Sequence, residues 1–291
     1  MSLKNGVFIC VYLLLSFQLL ALSFCGHCMA DVPALESKPS TMVVTCATGE
    51  LGTAIAKVLG RDYNLILTGR DSLKLQALQK QLQVEYPWQY EVCQLDYVNQ
   101  ASIVDFKNKI SNFEQSVAGL VLITPRPNFA KNLLQEEAEW LQLFQTIFTG
   151  PLEALKATLP KLSKGSKIVV IAGNTSVQYM PEYGPACILR RMWTTYSKAL
   201  AYELGPKEIY VNVLSPGVIL TNFHEERIAN KAVANDCSYE AQMSHDVAKI
   251  PLGRHAKPSE IAHSVKFLLS EDSNFITGVN LVIDGGLTTS Y

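Results

Sequence analysis

Short apolar runs alternate with longer amphipathic stretches from about residue 41 to the end of the chain. The apolar runs are rich in Val, Ile and Leu and are typical of strands that are buried on both faces. We predict strands at residues 42–45, 64–67, 90–95, 119–123, 167–171, 209–214 and 280–282. In the longer stretches, apolar residues recur at the helical period. We predict helices at residues 49–59, 71–84, 101–113, 133–148, 151–162, 188–204 and 259–269.

This alternation of strands and helices indicates one fold class. Parallel strands that are joined by crossover helices form a sheet covered on both faces. No internal repeat or low-complexity segment interrupts the order. We therefore predict an α/β fold, a Rossmann-type doubly wound parallel sheet of about seven strands, in a single domain that comprises residues 41–291.

The first 30 residues differ from the rest in composition and have three interpretations. Residues 6–26 are apolar and uncharged, and they follow Lys4. Residues 1–30 are therefore typical of a signal peptide, or of a membrane anchor through residues 6–26. The third interpretation is that translation starts at Met29. We expect an exported or membrane-anchored protein in the first two cases and a cytoplasmic protein in the third, with residues 31–40 as a linker.

The overall charge and the cysteine positions exclude some classes of protein. The chain has 291 residues, and its formal net charge at pH 7 is -1. Such a charge gives no long-range attraction to nucleic acid or to an anionic membrane, so we expect neither as an electrostatic partner. Seven cysteines occur at irregular spacing, which argues against a disulfide framework. We assign no metal site from the sequence.

A glycine-containing turn joins the first predicted strand to the first predicted helix. It reads Thr45-Cys46-Ala47-Thr48-Gly49-Glu50-Leu51-Gly52. In such a turn, backbone N–H groups and the helix dipole hold the pyrophosphate of a dinucleotide. The residues that we predict to bind the cofactor here are Thr45, Thr48, Gly49, Leu51 and Gly52. A purely structural turn would also contain glycine, and that alternative stays open.

Two residues of this turn count against tight binding. Glu50 places a carboxylate at the start of the helix, where it opposes a pyrophosphate if it points inward. Cys46 adds bulk where a glycine would allow the backbone to approach closely. We therefore expect weak affinity for the dinucleotide.

The residues that follow the second and third predicted strands select the cofactor. An acidic residue after the second strand binds the ribose 2′-hydroxyl of NAD, whereas an arginine suits the 2′-phosphate of NADP. Arg70 stands at this point, so we predict NADP(H) in preference to NAD(H). The alternative for Arg70 is a solvated residue at a helix start. Asp96 follows the third strand, and we predict either that it receives the adenine amino group or that the carboxylate belongs to a helix cap.

The C-terminal half carries several motifs in a fixed order. Residues 211–221 read VNVLSPGVILT, and they are followed by Gly253-Arg254, by PSEIA at 258–262, by Thr277-Gly278 and by Asp284-Gly285-Gly286. With these motifs, residues 42–286 resemble the short-chain dehydrogenase/reductase family. The resemblance implies that Pro216 and Gly217 support a nicotinamide ring and that Thr221 binds its carboxamide. It also implies a homodimer or homotetramer formed through two long helices.

The family's acid–base side chains are a tyrosine, a lysine four residues later, a serine and an asparagine. A gapless alignment of this region places Gly173 at the serine, Ala186 at the tyrosine and Arg190 at the lysine. The asparagine position falls near Ile147. The resemblance therefore implies a nicotinamide site from which the usual proton donor is missing.

Other residues are candidates for the missing roles. Tyr183 lies three residues before Ala186, and we predict that it is catalytic through its hydroxyl. Arg190 is predicted to bond the nicotinamide ribose, although the pKa of an arginine is too high for proton donation. Lys198, beside Tyr196, is too distant to act in place of the family's lysine, because the helical rise from Arg190 to Lys198 is roughly 12 Å.

The segment Ile171-Ala172-Gly173-Asn174 and the motif YSKALA at 196–201 are similar to a divergent branch of the family. That branch includes the NADPH-dependent reductase of bacilysin biosynthesis, and the tyrosine–lysine pair is absent there too. The resemblance makes Asn174 a second candidate catalytic residue, which positions substrate or cofactor. The alternative is that Asn174 is only a turn residue.

Three hypotheses follow. The first is an NADP(H)-dependent reductase of a small carbonyl or enone compound, since hydride transfer needs mainly a correctly oriented nicotinamide and electrophile. In this hypothesis, residues 222–250 form the wall that sets substrate specificity. The second is a catalytically inactive protein of the same fold that binds a nucleotide or a partner chain. The third, a membrane-tethered scaffold, depends on residues 6–26 alone.

Overall fold

Seven parallel strands lie side by side in the order β3-β2-β1-β4-β5-β6-β7. The computed structural model describes residues 40–126 and 132–289. The strands are β1 Thr41–Val44, β2 Asn64–Gly69, β3 Tyr90–Gln94, β4 Val117–Ile123, β5 Leu162–Ile171, β6 Tyr210–Pro216 and β7 Asn280–Ile283. The predicted Rossmann-type sheet is therefore confirmed, and each predicted strand overlaps an observed one.

Helices connect these strands and cover the sheet. In the described part of the chain they are α1 Glu50–Leu59, α2 Ser72–Glu85, α3 Gln100–Asn112, α4 Glu137–Phe144, α5 Gly150–Thr158, α6 Gly184–Leu204, α7 Asn222–Ala234, α8 Tyr239–Val247 and α9 Pro258–Leu269. The side chains of Asp71 and Asn99 cap α2 and α3 by accepting backbone N–H bonds. Such caps satisfy N–H groups that have no partner within the helix.

The sheet separates two apolar cores. Successive side chains of a strand point to opposite faces, so Met42 and Val44 of β1 enter one core and Val43 enters the other. The first core is closed by α1, α2 and α9, and the second by α3, α5 and α6. Strands that are buried on both faces account for the continuous apolar runs in the sequence.

The predicted bounds around α4 and α5 are wrong for local reasons. The helix predicted from residue 133 begins at Glu137, because the Asn132 side chain bonds the backbone of Leu134 in a preceding turn. The helix predicted to reach residue 162 ends at Thr158. Leu162 already pairs with β4 as the first residue of β5, so it is not available to the helix.

The helices α4 and α5 are also more closely joined than predicted, and α6 is longer. A π-helical turn, Gln145–Thr149, links α4 directly to α5. A Cβ on Gly150 would lie 2.5 Å from the Tyr97 Cβ, so glycine allows α5 to approach this loop. The helix predicted from residue 188 begins at Gly184, with Pro185 in the first turn, where proline is well tolerated.

The order of the strands places a cleft at the carboxyl edge of the sheet. The chain direction across the sheet reverses between β1 and β4, and ligands of such sheets bind outside the strand ends at this point. We use "the cleft" for the space bounded by the start of α1, the loop after β4, the start of α6 and α7.

The predictions for the N-terminus concern other residues. The proposed signal peptide at 1–30, the anchor at 6–26 and the linker up to residue 39 lie outside the described residues. Within residues 40–126 and 132–289, no helix has the length and apolar composition that a bilayer crossing requires.

Candidate active site

The turn after β1 owes its shape to one glycine. A Cβ on Gly52 would lie 2.2 Å from the carbonyl oxygen of Cys46 and 2.8 Å from the Cα of Ala47, so only glycine lets α1 approach the turn so closely. Cys46 has φ +51°, a conformation that glycine adopts more readily. Its thiol is 3.4 Å from the carbonyl oxygen of Ile123, and burial raises its pKa to about 11. The added bulk of Cys46 therefore lies against β4 as a neutral thiol.

Two threonines of the turn have different surroundings. The Thr45 hydroxyl accepts the Ile123 N–H at 2.8 Å and donates to the Val121 carbonyl at 3.3 Å. Its side chain thus joins β1 to β4. The Thr48 side chain lies beside Gly69 at the end of β2, where a Cβ would be 2.8 Å from the Thr48 hydroxyl oxygen. A role for either residue in cofactor binding stays a prediction.

Glu50 spans the cleft. Its carboxylate accepts the backbone N–H of Asn222, at 2.9 Å from one oxygen and 3.2 Å from the other. Glu50 and Asn222 are the first residues of α1 and α7, so the carboxylate lies at the positive ends of two helices. Gly49 is the exposed N-cap residue of α1, and Leu51 packs against the first core.

Arg70 and Asp96 lie at the predicted adenosine end. Arg70 directly follows β2 and is exposed, and no acidic residue in the described ranges forms an ion pair with it. The Gln94 side chain donates to the Arg70 carbonyl at 2.8 Å. Asp96 accepts the backbone N–H of Val98, whereas Asn99 caps α3. The helix cap near Asp96 is therefore Asn99, and the contact of Asp96 with adenine stays a prediction.

The loop after β6 belongs to the first of the C-terminal motifs and packs against the last of them. Pro216 is the last residue of β6 and pairs with β7. A Cβ on Gly217 would lie 2.7 Å from the Cβ of Asp284, so the two motifs meet at a point where glycine is required. The Asp284 carboxylate accepts the backbone N–H groups of Gly286 and Thr288, which closes the C-terminal turn beneath the loop.

Thr221 is the N-cap residue of α7 and contacts a histidine that sequence reasoning missed. Its hydroxyl lies 3.0 Å from the Nδ1 of His224. Burial, with the nearby positive charges of Arg126 and Arg227, lowers the pKa of His224 to about 4. The imidazole is therefore neutral at physiological pH, and the positive charge here comes from arginines.

The structure brings together the residues aligned with the serine and the lysine. Gly173 has φ +95°, and a Cβ on it would lie 3.0 Å from the Nη1 of Arg190. The same Nη1 donates to the Thr175 hydroxyl at 3.0 Å. Burial lowers the pKa of Arg190 to about 10, which leaves it charged at neutral pH. Asn174 is buried and begins the short 3-10 turn that contains Thr175.

Tyr183, our candidate proton donor, lies in the same site. It is 9% exposed and directly precedes α6. Burial raises the pKa of its phenol, and the positive charges of Arg227, Arg190 and Arg126 partly offset this effect. The phenol is therefore protonated at neutral pH and lies in the field of three arginines.

The position aligned with the family's asparagine is an apolar contact between helices. Ile147 is fully buried in the π-helical turn, which leaves carbonyl groups without their usual partners. The buried indole of Trp193, on α6, donates to the Ile147 carbonyl at 2.7 Å. Ala186, aligned with the tyrosine, is also buried.

Sequence reasoning missed two contacts between α7 and the opposite wall of the cleft. The Arg126 guanidinium, in the loop after β4, lies 3.2 Å from the centroid of the Phe223 ring. Arg227 forms an ion pair with Glu182, which directly precedes Tyr183. The available signal was the position of Arg126 three residues after an apolar strand. No group of three or more His, Cys, Asp or Glu side chains in the described ranges is arranged to bind a metal.

Comparison with known proteins identifies the family. A family model described as enoyl-(acyl carrier protein) reductase matches residues 47–288. A diacetyl reductase, (S)-acetoin forming, from Staphylococcus epidermidis is 30% identical over 260 residues, which cover 85% of this chain and 98% of that protein. The chain belongs to the short-chain dehydrogenase/reductase family.

Two solved structures share the fold at lower identity. A short-chain oxidoreductase from Pseudomonas aeruginosa PAO1, described as NADPH-bound and as containing an atypical catalytic center, has a TM-score of 0.78 at 22% identity and covers 87% of this chain and 98% of its own. YwfH, an NADPH-dependent reductase involved in bacilysin biosynthesis, has a TM-score of 0.77 at 21% identity, with coverage of 87% and 100%. At these identities the likeness establishes the fold alone.

Proposed function

We propose that this protein is an NADP(H)-dependent oxidoreductase that reduces a small carbonyl or enone compound at an atypical site. The observation that carries the proposal is the exposed Arg70 at the carboxyl end of β2, where an arginine suits a 2′-phosphate. Family membership supports oxidoreductase chemistry. The description of two structural neighbours as NADPH-bound or NADPH-dependent supports the choice of cofactor.

The residues present fit this cofactor at both of its ends. Arg70 and Asp96 would hold the adenosine part, and the loop at Pro216 and Gly217 would support the nicotinamide together with Thr221. Between these ends, Glu50 must release the Asn222 N–H. Glu50 is one exposed side chain, so its rotation needs no change in the sheet. When bound, the reduced cofactor would supply the hydride.

The chain's own residues supply orientation and a proton. Tyr183 is protonated at neutral pH because burial raises its pKa, so it has a proton to give to the substrate oxygen. Arg190 remains charged and stabilises negative charge that develops beside it. Asn174 begins the turn from which Thr175 meets Arg190, and its role in positioning substrate or cofactor stays a prediction.

The first test measures cofactor choice with the full chain. NADPH and NADH are titrated against the protein by nicotinamide fluorescence. For Arg70→Asp we expect NADPH affinity to fall at least tenfold while NADH affinity is unchanged or rises. Arg61→Asp is the matched control, because Arg61 is exposed in the loop before β2. Equal affinities of the unaltered protein for the two nucleotides contradict the assignment of NADP(H).

The second test measures turnover. A panel of carbonyl and enone compounds is followed by loss of NADPH absorbance. We expect reduction of at least one class and a loss of at least a hundredfold in kcat for Tyr183→Phe. Unchanged kcat in this variant removes Tyr183 from the proton step without removing the reductase activity.

One observation favours a second candidate, a protein of this fold that does not bind a dinucleotide. The Glu50 carboxylate accepts the backbone N–H of Asn222 and so joins the starts of α1 and α7 on two sides of the cleft. This candidate is supported if neither the unaltered protein nor Glu50→Gln changes NADPH fluorescence at high micromolar concentrations. That result would overturn the reductase proposal.

A further inference from the structure

Two arginines of the cleft form no close ion pair among the residues that the structure describes, although the charge of Glu50 acts on Arg126 from a greater distance. Arg190 donates to the Thr175 hydroxyl, and its Nε is buried without a hydrogen-bond partner. Arg126 contacts the Phe223 ring and forms no ion pair within the described ranges. Arg227 differs, since it is paired with Glu182.

The buried guanidinium of Arg190 is unfavourable unless an anion or another acceptor joins it, whereas Arg126 is exposed and carries no such penalty. Each guanidinium carries five N–H donors. Thr175 accepts only from the Nη1 of Arg190. The contact of Arg126 with Phe223 uses the face of the guanidinium, which leaves its N–H edge available. Several donors of both arginines are therefore ready to bind oxygen atoms.

The positions of these donors separate them from the proposed 2′-phosphate site and place them near the candidate proton donor. Arg126 follows β4, and Arg190 lies against Gly173, which follows β5. The proposed 2′-phosphate site at Arg70 follows β2. Three strand spacings separate β2 from β5, roughly 14 Å along the sheet. Tyr183, the candidate proton donor, lies within the field of both Arg126 and Arg190.

We propose that the substrate is a carbonyl compound that carries a carboxylate, held by Arg190 and Arg126 beside Tyr183. This inference rests on the proposed function. A carboxylate is favoured because its two oxygens match the planar edge of a guanidinium. In the reaction, the carbonyl carbon gains a hydride from reduced nicotinamide and its oxygen gains one proton. The products are a hydroxy acid and oxidised nicotinamide.

Matched substrates test the role of the charge. The rates with 2-oxobutanoate and with its methyl ester are compared in the presence of NADPH. We expect kcat/KM to be at least a hundredfold higher for the acid. In Arg126→Ala, the preference should fall at least tenfold through KM, with kcat little changed. Arg61→Ala, which removes an exposed arginine outside the cleft, should leave the preference unchanged.

Arg126 is the safer position for this test because it is exposed in a loop, whereas Arg190→Gln risks misfolding around Gly173. Reduction of the ester as efficiently as the acid overturns the anionic substrate and leaves the reductase intact. A loss of NADPH affinity in Arg126→Ala, measured without substrate and equal to the change in KM, also overturns it, since Arg126 then serves the cofactor.

A binding measurement separates this inference from the proposed function. If neither compound is reduced, calorimetry compares malonate, malonamide and inorganic phosphate. Binding of malonate alone, lost in Arg126→Ala and retained in Arg61→Ala, supports a carboxylate site even though the reductase proposal has failed. Absence of malonate binding, or tighter binding of phosphate, overturns the carboxylate site.

Discussion

The two ends of the cleft are built in different ways. Toward the adenosine end, the turn after β1 depends on backbone geometry that only glycine allows, at Gly52, and Arg70 after β2 is the charged side chain that our proposal requires. At the nicotinamide end, glycine is needed at Gly217 and Gly173 as well, but buried side chains fill the space beside them. Tyr183, Arg190 and Trp193 fill the region where the family's acid–base residues are expected.

This difference means that the fold constrains the backbone of the turn more tightly than the side chains of the cleft. A Cβ on residue 52 would lie 2.2 Å from the Cys46 carbonyl oxygen, so the position admits glycine alone and the turn cannot change far without loss of the fold. A side chain on a preformed helix is exchanged more easily, because the helix remains when the side chain changes. Family membership therefore fixes the architecture, and the proton chemistry has to be argued from the site itself.

The largest expected effect is at the backbone-dependent end. Gly52→Ala would force a Cβ against the Cys46 carbonyl, and we expect unfolding free energy to fall by about 4 kcal/mol or more. Gly205→Ala is the control, since no atom lies within 4 Å of its Cβ position. That variant should be neutral or stabilised by up to about 1 kcal/mol. Urea denaturation measures both, and similar stabilities of the two variants would contradict the tight turn.

The next effect concerns His224, whose pKa reports the positive charge of the arginines near α7. The folded-state pKa of His224 is about 4, below its ordinary value of 6.5. The unfolded chain therefore binds more protons between these values, and stability is lost as the pH falls from about 6.5 to about 4. His224→Asn should lose less stability over this range, by up to about 3 kcal/mol.

The control for this pH experiment is His245→Asn, because that side chain is 85% exposed. It should reproduce the pH dependence of the unaltered protein in thermal or urea unfolding. If His224→Asn also reproduces that pH dependence, burial and the neighbouring arginines do not lower the pKa of His224 as far as about 4.

A smaller effect concerns the contact between α6 and the π-helical turn. Trp193→Phe leaves the buried Ile147 carbonyl without its donor, and we expect a loss of about 2 kcal/mol in unfolding free energy. Trp88→Phe also removes an indole bond to a carbonyl, that of Arg61, but in an exposed place. Its cost should be less than about 1 kcal/mol. Equal losses in the two variants would mean that the π-helical turn finds another donor.

The smallest expected effect returns to the middle of the cleft. Glu50→Gln removes a negative charge from the path of the pyrophosphate, and we expect NADPH affinity to rise about fivefold, equivalent to about 1 kcal/mol. Glu240→Gln, an exposed carboxylate on α8, is the control and should leave affinity unchanged. A decrease in affinity for Glu50→Gln would show that Glu50 organises the site instead of obstructing it.

The regular part of this structure was predictable from sequence because its signals are local. Each strand was located from its own apolar run. The helix starts at Glu137 and Gly184 were missed, since a side-chain turn and a proline shift them by a few residues.

The contacts of the cleft could not be predicted from the sequence because they join residues that are far apart in the chain. Glu50 and Asn222 are 172 positions apart, and nothing local to either indicates the other. The alignment did place Gly173 and Arg190 at neighbouring family positions, and the structure brings them together. It gave no indication that Arg126 would meet Phe223 across the cleft.

The three contacts of α7 bear on the lifetime of any complex. The helix is held over the cleft by Asn222 on Glu50, by Phe223 on Arg126 and by Arg227 on Glu182. Each contact joins α7 to a different element. Because the cofactor displaces the contact of Asn222 with Glu50 when it binds, a bound molecule leaves after the other two contacts have separated. Residence time should then follow the opening rate of α7, and dissociation should be slow even where equilibrium binding is weak.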